Sequence, residues 1–410
     1  MNQILKGLRV VEGSAFVAVP LGGMTLTQLG AEVIRFDPIQ GGLDARRWPV
    51  TAGGKSLYWA GLNKGKLSIA VDTRQPEGRE LITNLITAPG PDNGLFITNF
   101  PPIGWMSYEA LKTKREDLIM CNLIGNPDGT SAIDYTVNCA IGIPYATGPE
   151  HGDYPVNPVN HVLPAWDAVA GITVALGILA AERHRRLKGE GQFIKFALSD
   201  IAMAMAGNLG FIGEAQINRQ DRPSYGNYLY GNYGREFATK DGRLVYIAAI
   251  TKRQWVELGK ATGLTERFTM INPMLDVNLN EESDRFKARE AISAVLAPWC
   301  AERSLDEVRL AFEATGVCWG PYQTPTQLIE EDPRCSTANP LFAEIEQPGI
   351  GRYLVPGSPL DFSGFERQTP RRAPILGEHT DEVLSSMLGL TDAEIGGLRD
   401  RKIVAGPVEL

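Results

Sequence analysis

Through the first 200 residues, short apolar or β-branched runs recur at 8–12, 31–36, 66–71, 94–98, 118–123 and 192–198, with helical stretches between several of them. No other feature of the sequence narrows the fold so much. Strands that alternate with helices cannot pair as hairpins. That alternation argues for a parallel sheet, with the intervening helices covering both faces. One helix follows Thr73 and Pro76, where Leu81, Ile82, Leu85 and Ile86 share a face at helical spacing. The strongest is Trp166 to Arg186, apolar and small at its start and basic at its end, which suits the helix macrodipole. The fold class expected is α/β with a doubly wound parallel sheet.

The texture changes after residue 215. Residues 222–234 form an aromatic, glycine-rich link, followed by a turn into the strand-like run Leu244-Val245-Tyr246-Ile247-Ala248-Ala249-Ile250. Helices follow to about 315, and a second Pro/Gly-rich stretch covers 316–340. This predicts a large domain over 1–215, a small inserted α+β domain over 225–325, and a segment 330–410 returning to the large domain. A chain of 410 residues is long enough for such a division.

Composition excludes several classes. Forty basic against 48 acidic residues leave a formal charge of −8, the wrong sign for coating nucleic acid or anionic lipid. The longest apolar run, Ala168 to Ala181, is shorter than a membrane span requires. Lys6 and Arg9 stand where an export signal would be apolar, so a cytoplasmic protein is expected. Cysteines 121, 139, 300, 318 and 335 are odd in number, form no C-x-x-C pair and have no His among them. They read as buried reduced thiols rather than a metal site.

Familiar catalytic signatures fail. Gly54-Lys55-Ser56 hints at a phosphate loop, but Pro49 stands where that loop needs glycine. No G-x-G-x-x-G follows the first strand, and neither G-x-S-x-G nor H-E-x-x-H is present. What remains is Asp167, an acid at the start of the apolar helix, with Gly171 one turn on. It can be an N-cap. It can also be a carboxylate nucleophile, where helix-start N–H groups hold an anion and small neighbours leave room for substrate.

The order and spacing of further pieces resemble one family, the class III CoA transferases, or CaiB/BaiF family. They are Gly7-Leu8-Arg9-Val10-Val11, Leu29-Gly30-Ala31-Glu32-Val33-Ile34-Arg35, Asn63-Lys64-Gly65-Lys66-Leu67-Ser68-Ile69 and Pro76-Glu77-Gly78-Arg79. Thr98-Asn99-Phe100, Gly189-Glu190-Gly191-Gln192, Gly316-Val317-Cys318-Trp319-Gly320-Pro321 and the run from Ala373 to Asp381 complete the set. Asp167 falls where the family carries its catalytic aspartate. The resemblance implies that this side chain is acylated by a CoA thioester, passing through an aspartyl anhydride and an aspartyl-CoA thioester. No metal and no cofactor besides the substrate's own CoA is then needed.

Within the family, the stretch Ile124 to Cys139 points to an intramolecular transfer from C1 to C4 of a mesaconyl (2-methylfumaryl) group. Exchange of CoA between an acyl-CoA and a separate acid is the alternative. The racemases of the superfamily carry a His–Asp pair near this region, but Ile133 precedes Asp134 here. The implied partner molecule is a CoA thioester of a small dicarboxylic acid, and the implied assembly is a homodimer of interlocked chains, with no nucleic acid and no membrane.

Carried over by position, Phe16, Val17, Arg35, Val71, Asp72, Thr73, Arg74, Asn99 and Phe100 are expected to bind CoA. Pro38 and Trp105 stand where relatives often carry phosphate-binding arginines, so Arg74, Lys64 or Lys66 is expected to substitute. A caged diacid needs a cation for its spare carboxylate. Arg46, Arg47, Arg222, Arg235, Arg253 and His161 stand open for this. The segment Tyr225, Gly226, Asn227, Tyr228 corresponds to a glycine-rich loop that shields the site in relatives, here loaded with tyrosines.

Overall fold

Six of the apolar runs become the parallel strands β1 (Arg9–Gly13), β2 (Glu32–Asp37), β3 (Leu67–Val71), β4 (Leu95–Thr98), β5 (Ile119–Ile124) and β6 (Gln192–Ala197) in the computed structural model. It describes residues 3–150 and 157–408. Neighbouring residues of one strand enter opposite cores: Val10 and Val11, Val33 and Ile34, Ile119 and Met120 part in this way. A sheet buried on both faces requires apolar runs without polar alternation, which is why these strands were legible.

Helices α1 (Ala18–Gln28), α2 (Leu57–Leu62), α3 (Pro76–Ile86), α4 (Tyr108–Lys112), α5 (Asp134–Ala140), α6 (Ile143–Ala146), α7 (Ala165–Lys188) and α8 (Leu198–Asn208) follow in chain order. Helix α7 packs along α1, and the contact depends on glycine. A Cβ at Gly171 would stand 2.7 Å from the backbone oxygen of Ala18, and one at Gly22 would stand 2.9 Å from that of Gly171. Gly171 therefore serves backbone-to-backbone helix packing, not substrate room.

Averaged over 18 residues, α7 reaches a mean hydropathy of 1.5, long and apolar enough by composition to cross a membrane. Counting only the unbroken run missed this. Ala170, Val174, Ala175, Ile178 and Ala181 are nevertheless buried in the core shared with α1.

Two compact units divide the chain: Met1–Ile141, Val162–Gly210 and Asp332–Leu410 in the first, Gly142–His161 and Phe211–Glu331 in the second. Residues 142–161, read from sequence as part of the large domain, thus group with the second unit.

In the first unit, strands β1 to β6 are joined by the short β12 (Val404–Ala405). The order is β12-β3-β2-β1-β4-β5-β6, with β12 antiparallel to β3 and Val404 opposite Val71. The same unit carries the hairpin of β10 (Phe342–Gln347) and β11 (Gly351–Pro356).

The second unit holds an antiparallel sheet of β7 (Tyr233–Ala238), β8 (Leu244–Ala249) and β9 (Cys318–Pro321), with Trp255, Leu258, Phe268, Ile292 and Phe312 packed on it. All five cysteines are free. Cys121 and Cys300 are buried, whereas Cys139 and Cys318 are exposed, against expectation.

Candidate active site

Strand order reverses between β1 and β4. In a doubly wound sheet the crevice beyond the carboxyl ends of such a strand pair is where ligands bind. Asn99, just past β4, spans it. Its side-chain oxygen accepts the Ala15 N–H at 3.0 Å and its amide donates to the Ala15 carbonyl at 2.8 Å. The next residue, Phe16, has φ 69°, a left-handed conformation that costs a side-chain-bearing residue about 1–3 kcal/mol. Phe16 is exposed, and the Arg47 guanidinium lies 5.1 Å from its ring centre and 5.2 Å from that of Tyr58.

Asp167 is the third residue of α7 and is half-buried. It is not the cap: Pro164 occupies that place and supplies no side-chain bond. The Asp167 N–H instead donates to Asp134 Oδ2 at 2.9 Å. Burial pushes the Asp167 carboxyl up to about 7. The Asp134 charge adds to the rise and the Arg47 charge opposes it. A carboxylate of such basicity is a stronger nucleophile than one in water. Arg47 is thus the cation, among those proposed for a second carboxylate, whose charge acts on Asp167.

The others are not among the charges that act on it. Arg46 and Arg253 are exposed, as is Arg47 itself. Arg222 is ion-paired to Glu214 at 2.6 Å and stacked on Phe211 and Tyr230. Arg235 donates to the Tyr228 hydroxyl at 2.6 Å. His161, like Arg222, Arg235 and Arg253, belongs to the second unit. So does the segment Tyr225–Tyr228, which is tightly packed within that unit. Tyr225 stacks on Tyr230 with ring centres 5.6 Å apart, both meet Phe286 edge-on, and Arg289 lies against Tyr225, Tyr228 and Phe286.

Arg35 does not stand where a ligand could reach it. It is 1% exposed, donates to Asp37, Asp44, Asn63 and the Ser14 carbonyl, and lies 4.5 Å from the Trp59 ring centre. Lys66 is as deeply enclosed and donates to Glu12 at 2.8 Å; burial pulls it down to about 8 against the pull of that carboxylate. Lys64 donates to the Pro356 carbonyl at 2.8 Å. Arg35 and Lys66, with Glu12, Asp37 and Asp44, form a buried charge cluster beneath the Ser14–Phe16 turn. The sequence reading of Arg35 as a CoA ligand, and of Lys66 as a phosphate donor, is thereby corrected.

Val71 is also core, opposite Val404. Its neighbours Asp72, Thr73 and Arg74, with Pro38, line a pocket of about 930 Å³. Its other wall is the C-terminal segment, including Arg399, Arg401 and Lys402. Asp167 lies outside it. Sequence reasoning missed these three cations, although Arg399-Asp400-Arg401-Lys402 is a visible charge run. Val17 is half-buried just before α1, Phe100 is half-buried after β4, and Trp105 packs on the core.

A carboxylate of raised pKa at a helix start suits covalent catalysis, and the cations lining the pocket beside the strand ends suit an anionic ligand. The chain belongs to CoA-transferase family III, which matches residues 5–380. It is 60% identical over 408 residues to the 2-methylfumaryl-CoA isomerase of Chloroflexus aurantiacus, covering 99% of each chain. It is 27% identical to the human succinyl-CoA:glutarate CoA-transferase, covering 98% of this chain and 91% of that one. A CaiB/BaiF family protein from Brucella suis has the same architecture, with TM-score 0.75 and 26% identity over 94% of this chain and all of the other.

Proposed function

We propose that this enzyme moves CoA between the two carboxylates of one diacid, converting 2-methylfumaryl-CoA into 3-methylfumaryl-CoA with Asp167 as the covalent carrier. The observation that carries the reading is the 60% identity along the whole chain to a protein of that activity. The raised basicity of Asp167 supports its role.

In this scheme an Asp167 oxygen attacks the thioester carbon, the C–S bond breaks, and CoA leaves as thiolate. The product is a mixed anhydride. The thiolate attacks the aspartyl carbonyl, giving an aspartyl-CoA thioester and the free diacid. The diacid's other carboxylate attacks that thioester and expels the thiolate again. The thiolate then attacks the diacid side of the second anhydride, which frees Asp167 and completes the transfer. Acyl groups and thiolate are exchanged without electron transfer, so the scheme invokes only Asp167 and the substrate's own CoA.

Three features are assigned roles. Arg47, held against Phe16 and Tyr58, receives the spare carboxylate of the diacid. The pocket between residues 72–75 and 399–408 seats the nucleotide end of CoA. The exposed apolar residues Ile172 and Leu176 of α7, with Met203 of α8 and nearby Leu209, support a homodimer.

The test supplies the thioester together with ¹³C-labelled free diacid. Unlabelled product supports intramolecular transfer. Label entering product as fast as product forms would establish exchange with a separate acid, the reaction that the human relative's name describes.

A further inference from the structure

Helix α5 begins within the stretch Ile124 to Cys139, and it holds the start of α7 at three points. Asp134 Oδ2 accepts the Asp167 N–H at 2.9 Å, Asn138 Oδ1 accepts the Trp166 indole N–H at 3.1 Å, and the Tyr135 hydroxyl donates to the Val162 carbonyl at 3.1 Å. No side chain caps α7 from its own sequence, so the acceptor for the Asp167 N–H comes from a residue 33 positions earlier.

Asp134 is 2% exposed, and its second oxygen, Oδ1, has no hydrogen-bond partner among the described residues. A buried carboxylate with an unfilled acceptor is costly in a folded protein. An asparagine there would keep the acceptor for the Asp167 N–H and carry no charge.

We propose that Asp134 is a positioning residue for the transfer reaction: it fixes the backbone of Asp167 and sets a like charge against the Asp167 side chain. The charge is relieved when Asp167 is acylated, because the anhydride and the thioester are neutral at that position. The repulsion therefore acts on the free carboxylate and not on the intermediates, which favours attack. The groups whose charges bear on Asp167 are Asp134 from α5 and Arg47 from the loop before α2, with Tyr58 of α2 in the same field. The proposal rests on the reading of Asp167 as the nucleophile.

Two variants of the full-length enzyme separate the two effects. D134N keeps an oxygen for the Asp167 N–H and removes the charge, and D134A removes both. The Asp167 carboxyl is followed by ¹³C NMR in protein labelled at aspartate, its resonance assigned with D167N. The expected results for D134N are a lower Asp167 titration midpoint, an acid limb of kcat moved to lower pH, and a plateau kcat about tenfold down with KM unchanged within twofold. D134A is expected to lose about 100-fold in kcat.

A D134N midpoint and acid limb that stay at the wild-type position, or D134A with kcat within twofold of wild type, would overturn the proposal. Should D134A fail to fold, D134N decides alone. The nucleophile reading is checked separately by a hydroxylamine-labile acyl adduct on Asp167 of the wild-type enzyme. Its absence beside a lowered D134N midpoint would remove that reading and leave the influence of Asp134 on Asp167 standing.

Discussion

The side chain of Asn99 holds both backbone polar groups of Ala15, N–H at 3.0 Å and C=O at 2.8 Å. This pair closes the crevice where the strand order reverses and holds the turn that puts Phe16 at φ 69°. Asn99→Ala leaves those Ala15 groups without their partner and releases a strained residue. We expect a stability loss of about 1–2 kcal/mol and a fall in kcat/KM of about tenfold, read by thermal melts and steady-state kinetics.

Activity should rise with pH through the Asp167 titration. A nucleophilic carboxylate must be ionised, and Asp167 is pushed up to about 7. The acid limb of kcat should therefore lie near neutrality and not near 4. A limb at 4 would contradict the burial argument. Asp167→Ala should lower kcat by about 10³-fold or more.

The same shift predicts a stability effect. The folded protein holds the Asp167 proton up to about 7, whereas an unfolded chain releases it near the ordinary aspartate value of 3.8. Below that value both states are protonated and nothing is lost. As pH rises from there to about 7, stability falls, and above 7 the full penalty is present. Asp167→Asn removes the penalty. At pH 8 we expect a gain of about 2 kcal/mol, after discounting for solvent screening of a half-buried group, with the gain shrinking toward pH 4. Denaturant titrations at both values would show it.

Arg35→Met should act on folding rather than on CoA. It would leave Glu12, Asp37 and Asp44 buried with Lys66 as the remaining cation of the cluster. Breaking buried pairs in this way costs about 3–5 kcal/mol. A well-folded variant changed only in KM would restore Arg35 to the ligand set.

In the pocket wall, Arg401→Ala with Lys402→Ala should raise KM for the CoA thioester about tenfold and leave kcat within twofold. The same double variant assayed with a pantetheine thioester should show no KM change, because that substrate has no nucleotide.

Local pattern made much of this protein legible. The run 192–198 reads as a strand from its own residues, and the structure has it at Gln192–Ala197. Helix α7 was visible from Trp166, one residue after its true start. Asp167 could be singled out because an acid opening an apolar helix is conspicuous by itself.

What escaped depends on what packs against what. Nothing near Arg35 in sequence says that Asp44, Asn63 and the Ser14 carbonyl will enclose it, or that Lys66 will meet Glu12 across 54 positions. Gly171 looked like room for substrate until Ala18 of α1 was brought against it.

The sequence by itself determined six of the large sheet's seven strands, their parallel run and the acid at the head of α7, since these follow from the pattern of neighbouring side chains; the short antiparallel β12 it did not show. Tertiary structure alone decided which charges are buried, that Asp134 meets Asp167, and that Arg399, Arg401 and Lys402 face Asp72 and Arg74 across one pocket. A hydrophobic period is a sum of local preferences, whereas a charge takes its role from dielectric and partners that only the closed chain supplies.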